Sequence, residues 1–149
     1  MPVLKYPKKR KGNKKLTAAK IQDLFNATIR RRDQYCVMSH SEHSGNLEAS
    51  HFFTVKGNGA IRFYPPNVHC QCTKHHRAEF HNDNTLPYSR WMAENVPEFE
   101  WMETSRKVNI KYSQANLELI AAYCRKDDLT GLQWFIESLI NQAIKERDK

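Results

Sequence analysis

The sequence predicts an α+β fold, a small hairpin-and-helix centre held between N- and C-terminal helices. Three observations lead there. Apolar residues recur at helical spacing near both ends of the chain. A Gly-Asn-Gly stretch separates two short extended runs in the middle. Cysteines and histidines gather around that middle at close spacing. With 149 residues, the chain suits a single domain over residues 16–149, preceded by a basic arm over residues 1–15.

The arm, MPVLKYPKKRKGNKK, holds two prolines, a glycine and seven basic residues, a composition that predicts disorder until a partner binds. From Leu16 the pattern turns helical: Ile21, Leu24, Phe25, Thr28 and Ile29 share a face, Thr17 reads as N-cap, and Arg30, Arg31 and Arg32 suit the C-terminus. This helix occupies 16–34. A turn-rich knuckle begins the next section, 35–84, followed by two extended pieces, Ala49–Val55 and Ala60–Tyr64, around Lys56-Gly57-Asn58-Gly59. Pro65-Pro66 breaks the chain before CTKHHRAEF starts a short helix. Residues 85–149 read as helices: Tyr88–Arg106 with an interruption at Pro97, a second from Ser113, and a third opened by a Thr130-x-x-Gln133 capping box. The last carries an apolar stripe through Leu132, Phe135, Ile136, Leu139, Ile140 and Ile144, which covers the chain's own core or pairs two copies into a homodimer.

Charge and composition narrow the function. Residues 1–32 carry eleven Lys and Arg against one acid, Asp23, while the whole chain has net charge +8. A basic arm on a near-neutral body is the footprint of polyanion binding, with Lys8, Lys9, Arg10, Lys11, Arg30 and Arg31 as phosphate contacts. No apolar run approaches the ~20 residues of a membrane span, and the basic start is followed by no apolar segment of the secretory kind. The four cysteines, Cys36, Cys70, Cys72 and Cys124, are therefore read as reduced, some of them bound to metal.

Two half-sites stand out: Cys36-V-M-S-His40, with His43 just beyond, and Cys72-T-K-His75. Paired short-range ligands joined by a longer loop are how structural zinc sites are built, because each pair fixes one edge of a tetrahedron. The predicted zinc ligands are Cys36, His40, Cys72 and His75, with His43 as rival to His40. Around them lie His51 in an extended run, Asn67 in a loop and His76 at a helix start. A neutral imidazole near its ordinary pKa of ~6.5 takes a proton from water, and a divalent ion stabilises charge at a phosphate. That layout resembles the ββα-metal arrangement of HNH nucleases.

The resemblance narrows to the NinG (Rap) family of phage recombination proteins, within the HNH group. It rests on LFNATIRRRDQYC at 24–36, EASHF at 48–52, IRFYPPNVHCQC at 61–72 and LPYSRW at 86–91. Coverage runs from about Lys14 to Leu132. The family pattern has a four-cysteine knuckle; this chain has Ser39 and His40 where that pattern places its second cysteine and a glycine, and His75 for the fourth ligand. Glu48 stands for the family's Asp, and His76 for an Asn. The resemblance implies a zinc-stabilised ββα-metal core and a metal-dependent endonuclease acting on branched, Holliday-junction-like DNA. It places the protein in the cytoplasm of a phage-infected or lysogenic bacterial host.

In that reading His51 is the general base, His76 holds the catalytic Mg²⁺ or Mn²⁺, and Asn67 holds that ion with it or orients the histidine. Arg62 clamps a phosphate. Glu48 is assigned to structure or DNA contact, His69 and His81 have no role, and Cys70 and Cys124 are small buried residues. Trp91, Trp101 and Trp134 read as core or interface. Two alternatives stay open: a non-catalytic, zinc-stabilised DNA-binding module that assists recombination, and an RNA-binding zinc protein.

Overall fold

A computed structural model describes residues 15–149. The basic arm, with Lys8, Lys9, Arg10 and Lys11, lies outside the described residues apart from Lys15. Helix α1 spans Ala18–Asp33. Thr17 caps it, its hydroxyl accepting from the Lys20 N–H at 3.2 Å, and Gln34 ends it at a positive φ of 62°. Ile21, Phe25, Thr28 and Ile29 form the buried face that the periodicity marked.

Strand β1 (Leu47–His51) pairs antiparallel with β2 (Val68–Cys72), in a register running from Leu47 opposite Cys72 to His51 opposite Val68. The second strand is therefore not Ala60–Tyr64. Ala60, Ile61, Phe63 and Tyr64 are all buried, a run without the alternation that one-faced strands need, and it coils through tight turns at Gly59–Ile61 and Pro65–Asn67. The first strand likewise begins earlier and ends earlier than Ala49–Val55. Strand β2 is buried along its whole length, with α1 packed against it and His69 set edge-on to Trp91.

Beyond β2 the chain winds into a short π-helical segment, Lys74–Glu79, then a tight turn at Phe80–Asn82. Helices α2 (Leu86–Asn95) and α3 (Phe99–Ser105) are divided at Pro97, as the sequence suggests. Helix α4 (Gln114–Arg125) starts at its Ser113 cap and buries Leu117, Ile120, Ala121 and Cys124. Helix α5 (Leu129–Arg147) is capped by Asp128 rather than by the Thr130 box. The Asp128 carboxylate accepts from the Gly131 N–H at 2.9 Å, and a Cβ at Gly131 would collide with that carboxylate. Gln133 instead donates to Glu98 and Glu137.

One hydrophobic core runs from α1 to α5, and the stripe residues Leu132, Ile136 and Ile140 are buried in it. Among the described residues, no helix is long and apolar enough to cross a membrane.

Candidate metal centre and histidine cluster

The knuckle closes the Leu47–Cys72 end of the hairpin. Cys36 is positioned where the chain leaves α1 and ties to the sheet, the Val37 N–H donating to the Cys70 carbonyl at 2.9 Å. Gly45 makes the return possible: its φ is +86°, and a Cβ there would stand 2.5 Å from the Thr73 side chain. Thr73 and Lys74 then donate their N–H groups to the Asn46 and Ser44 carbonyls. These contacts bring Cys36, His43, Cys72 and His75 together with their donor atoms within 4.8 Å of one another. His75 Nδ1 lies 3.1 Å from Cys72 Sγ and 3.4 Å from Cys36 Sγ.

Two thiols and two imidazoles form a donor set suited to a tetrahedral ion such as zinc. The electrostatics agree with that use. Burial pushes the Cys72 thiol up, but backbone hydrogen bonds from His75 and Ser44, with His43 and Cys36 beside it, outweigh burial and hold it at about 7. Burial depresses His75, which keeps the imidazole neutral and able to ligate. Burial raises the Cys36 thiol, so an ion must supply the charge that draws off its proton.

The histidine in this group is His43, where His40 was the first choice. His40 turns to Glu79 instead, Nε2 to Oε2 at 2.6 Å, because Glu79 stands beneath His75 on the following short helix. All four cysteines are free thiols, with Cys70 and Cys124 buried.

The other end of the hairpin carries His51 and Asn67. His51 ends β1, is 9% exposed, and sets Nε2 2.9 Å from the Arg62 carbonyl. Donation from Nε2–H to that carbonyl leaves Nδ1 as the lone-pair nitrogen. Burial depresses its pKa to about 4, well under the ordinary value; the hydrogen bond to the Arg62 carbonyl opposes the shift, and the nearby charges of Arg62 and His76 add to it. Gln22 of α1, which the sequence reading missed, fixes Arg62 by accepting from its Nε at 3.0 Å.

Asn67 does not fit the role of cation ligand. It is fully buried; its Oδ1 accepts from the Phe53 N–H at 2.9 Å, and its Nδ2 donates to the Phe53 and Ile61 carbonyls at 3.0 and 3.3 Å. It staples the loop between the strands.

His76 faces Glu48 rather than Asn67, Nδ1 to Oε1 at 3.0 Å, and the Glu48 carboxylate is also gripped by Arg77 at 2.6 and 3.1 Å. His81 sets its ring edge-on to His76 with centroids 4.4 Å apart. A cleft of about 460 Å³ lined by Phe52, Phe53, Phe80 and His81 opens beside this pair.

Among the expected phosphate contacts, Arg30 is exposed, Arg31 is engaged by Asp127 at 2.9 Å, and Arg62 is half-buried over the Phe63 ring. Trp134 is 68% exposed, while Trp91 and Trp101 pack against the core.

The chain matches the family model described as Bacteriophage Lambda NinG protein over residues 4–133. Neither the curated proteins nor the solved structures contain a match to it. A match over that much of the chain is decisive for ancestry: the chain belongs to the bacteriophage lambda NinG protein family.

Proposed function

We propose that this chain is a metal-dependent endonuclease of the HNH type, cutting branched, four-way-junction-like DNA in phage recombination, with a structural zinc in the knuckle. The observation that carries the reading is His51: a buried imidazole at the hairpin end, held in one tautomer by the Arg62 carbonyl. At neutral pH it is unprotonated, the form in which Nδ1 accepts a proton from water.

Glu48 and His76 are the donors that would hold a catalytic Mg²⁺ or Mn²⁺, replacing the Asn67–His76 pair expected from the sequence. Such an ion would stabilise the charge that develops on the phosphate. In that role Glu48 would exchange its Arg77 and His76 contacts for the ion, and Arg77 would be free to meet a phosphate. Asn67 positions the loop that carries Arg62, and so the base. Arg30 and the basic arm supply phosphate contacts on DNA.

The test is cleavage of linear, nicked and four-way DNA with Mg²⁺ or Mn²⁺ beside an EDTA control. His51→Ala is expected to slow cleavage by a factor on the order of 10²–10⁴, with zinc content and DNA binding unchanged. Because burial holds His51 at about 4, the rate should persist below pH 6, where an ordinary histidine would already have lost it. A His51→Ala protein that cuts at the wild-type rate removes this reading. One observation favours a second, a zinc-stabilised DNA-binding module: His51 and Asn67 are buried and Glu48 is already paired. Under that reading the chain binds four-way DNA and cuts none of the three substrates.

A further inference from the structure

The knuckle contains a second set of contacts that ligand geometry does not require. Ser41 Oγ lies 2.8 Å from His75 Nε2 and 3.4 Å from Glu79 Oε1, and the other Glu79 oxygen meets His40 at 2.6 Å. His75, His40 and Glu79 thus form a group of their own, with His75 common to both groups.

We infer that Ser41 and Glu79 are positioning residues for the metal centre, fixing His75 in the tautomer that turns a bare Nδ1 towards the ion. The inference rests on the metal-centre reading and on the direction of each hydrogen bond. The Glu79 carboxylate can only accept, so the single hydroxyl proton of Ser41 is donated to it. Ser41 Oγ is then left to accept from His75, which requires the proton of the neutral ring to sit on Nε2. Nδ1 carries the lone pair, and Nδ1 is the atom set against the two cysteine sulfurs.

A chain of one polarity therefore runs from the ion site through His75 and Ser41 to Glu79. Outer contacts of this kind orient a ligating imidazole and raise its basicity. The same carboxylate explains why His40, expected as a ligand, stands outside the group of four: it holds Glu79 from the solvent side, 35% exposed in its side chain. Glu79 stays within reach of His75 because the two are four residues apart on one short helix, Lys74–Glu79. His75 Nε2 serves one hydrogen bond in this arrangement and is not also a ligand to a second ion.

The experiment is competition for zinc between the full chain and a chelator, with cobalt(II) substituted in parallel. Ser41→Ala and Glu79→Ala are expected to bind zinc 10–100-fold more weakly, while Ser41→Thr, which keeps the hydroxyl, stays near wild type. All three should bind one ion per chain and keep the wild-type cobalt absorption, since no ligand has changed. His43→Ala should alter that spectrum. Wild-type affinity in both Ser41→Ala and Glu79→Ala overturns the inference. So does a wild-type stoichiometry of two ions of which Glu79→Ala removes one, because Glu79 would then be a ligand of its own site. A wild-type chain that takes up no zinc removes the centre itself, and this inference with it.

Discussion

The two ends of the hairpin hold histidines in opposite states. At the Leu47–Cys72 end, Cys36, His43, Cys72 and His75 aim their donor atoms at one another, and thiols are weak hydrogen-bonding partners. At the His51–Val68 end, the donors and acceptors of Asn67 and the Nε2 of His51 are already matched by backbone groups. The first arrangement is one that a bound ion would make favourable. The second is complete within the protein and makes a rigid support. Stability at the first end should therefore depend on metal, and at the second on the side chains alone.

The largest expected effect breaks the first end. Structural zinc contributes on the order of 10 kcal/mol in small zinc domains. Cys72→Ala, or prolonged chelation, should release the ion and melt the knuckle, lowering the thermal midpoint far more than any substitution at the other end. His40→Ala should leave metal content unchanged. Zinc analysis and melting curves on both variants decide it; a Cys72→Ala chain that retains zinc and melts with the wild type would undo the contrast.

Next in size is Asn67→Ala. It leaves the Phe53 N–H and the Phe53 carbonyl without partners, while the Ile61 carbonyl keeps the Tyr64 N–H, and an orphaned buried group costs about 1–3 kcal/mol. The expected loss is roughly 3 kcal/mol in urea unfolding, with zinc affinity intact. Asn67→Ala that lost zinc along with stability would show the two ends to be one unit.

How far the sequence foretells these regions differs by region too. The helices are legible because burial there follows a 3.6-residue period: Ile21, Phe25 and Ile29 on α1, and Leu132, Ile136 and Ile140 on α5, are marked by spacing alone. The second strand was misplaced although the signal was present. VHCQC alternates apolar and polar strictly, whereas AIRFY does not. That Cys36, Cys72 and His75 come together was legible in the sequence, but which histidine joins them was not, since the spacing leaves His40 and His43 equally near. What separates them is Glu79, one turn past His75 on a helix whose winding no local pattern reveals. Gln22 was illegible for a similar reason: its contact with Arg62 spans 40 positions of chain.

The smallest effect concerns acid, and it compares His51 with His69. Both are buried and neutral in the fold, His69 against Trp91 and within 3.3 Å of the Tyr88 hydroxyl. Burial lowers His51 to about 4 and, with Arg32 adding to the effect, lowers His69 to about 3. In the unfolded chain each returns to ~6.5. Between ~6.5 and these lower values the unfolded state binds more protons than the folded one, so stability falls as pH falls through that window. Each histidine should contribute about 2 kcal/mol of loss between pH 7 and pH 5. Zinc release in acid adds to the total, so a difference between variants is the cleaner measure. His69→Gln removes one titrating group and touches no knuckle ligand. Urea unfolding at both pH values should show its stability less dependent on pH than the wild type's by about 2 kcal/mol, whatever the substitution costs at pH 7. An unchanged dependence would mean that His69 titrates as an exposed histidine does. The buried end of the hairpin would then open to water far more readily than its hydrogen bonds imply.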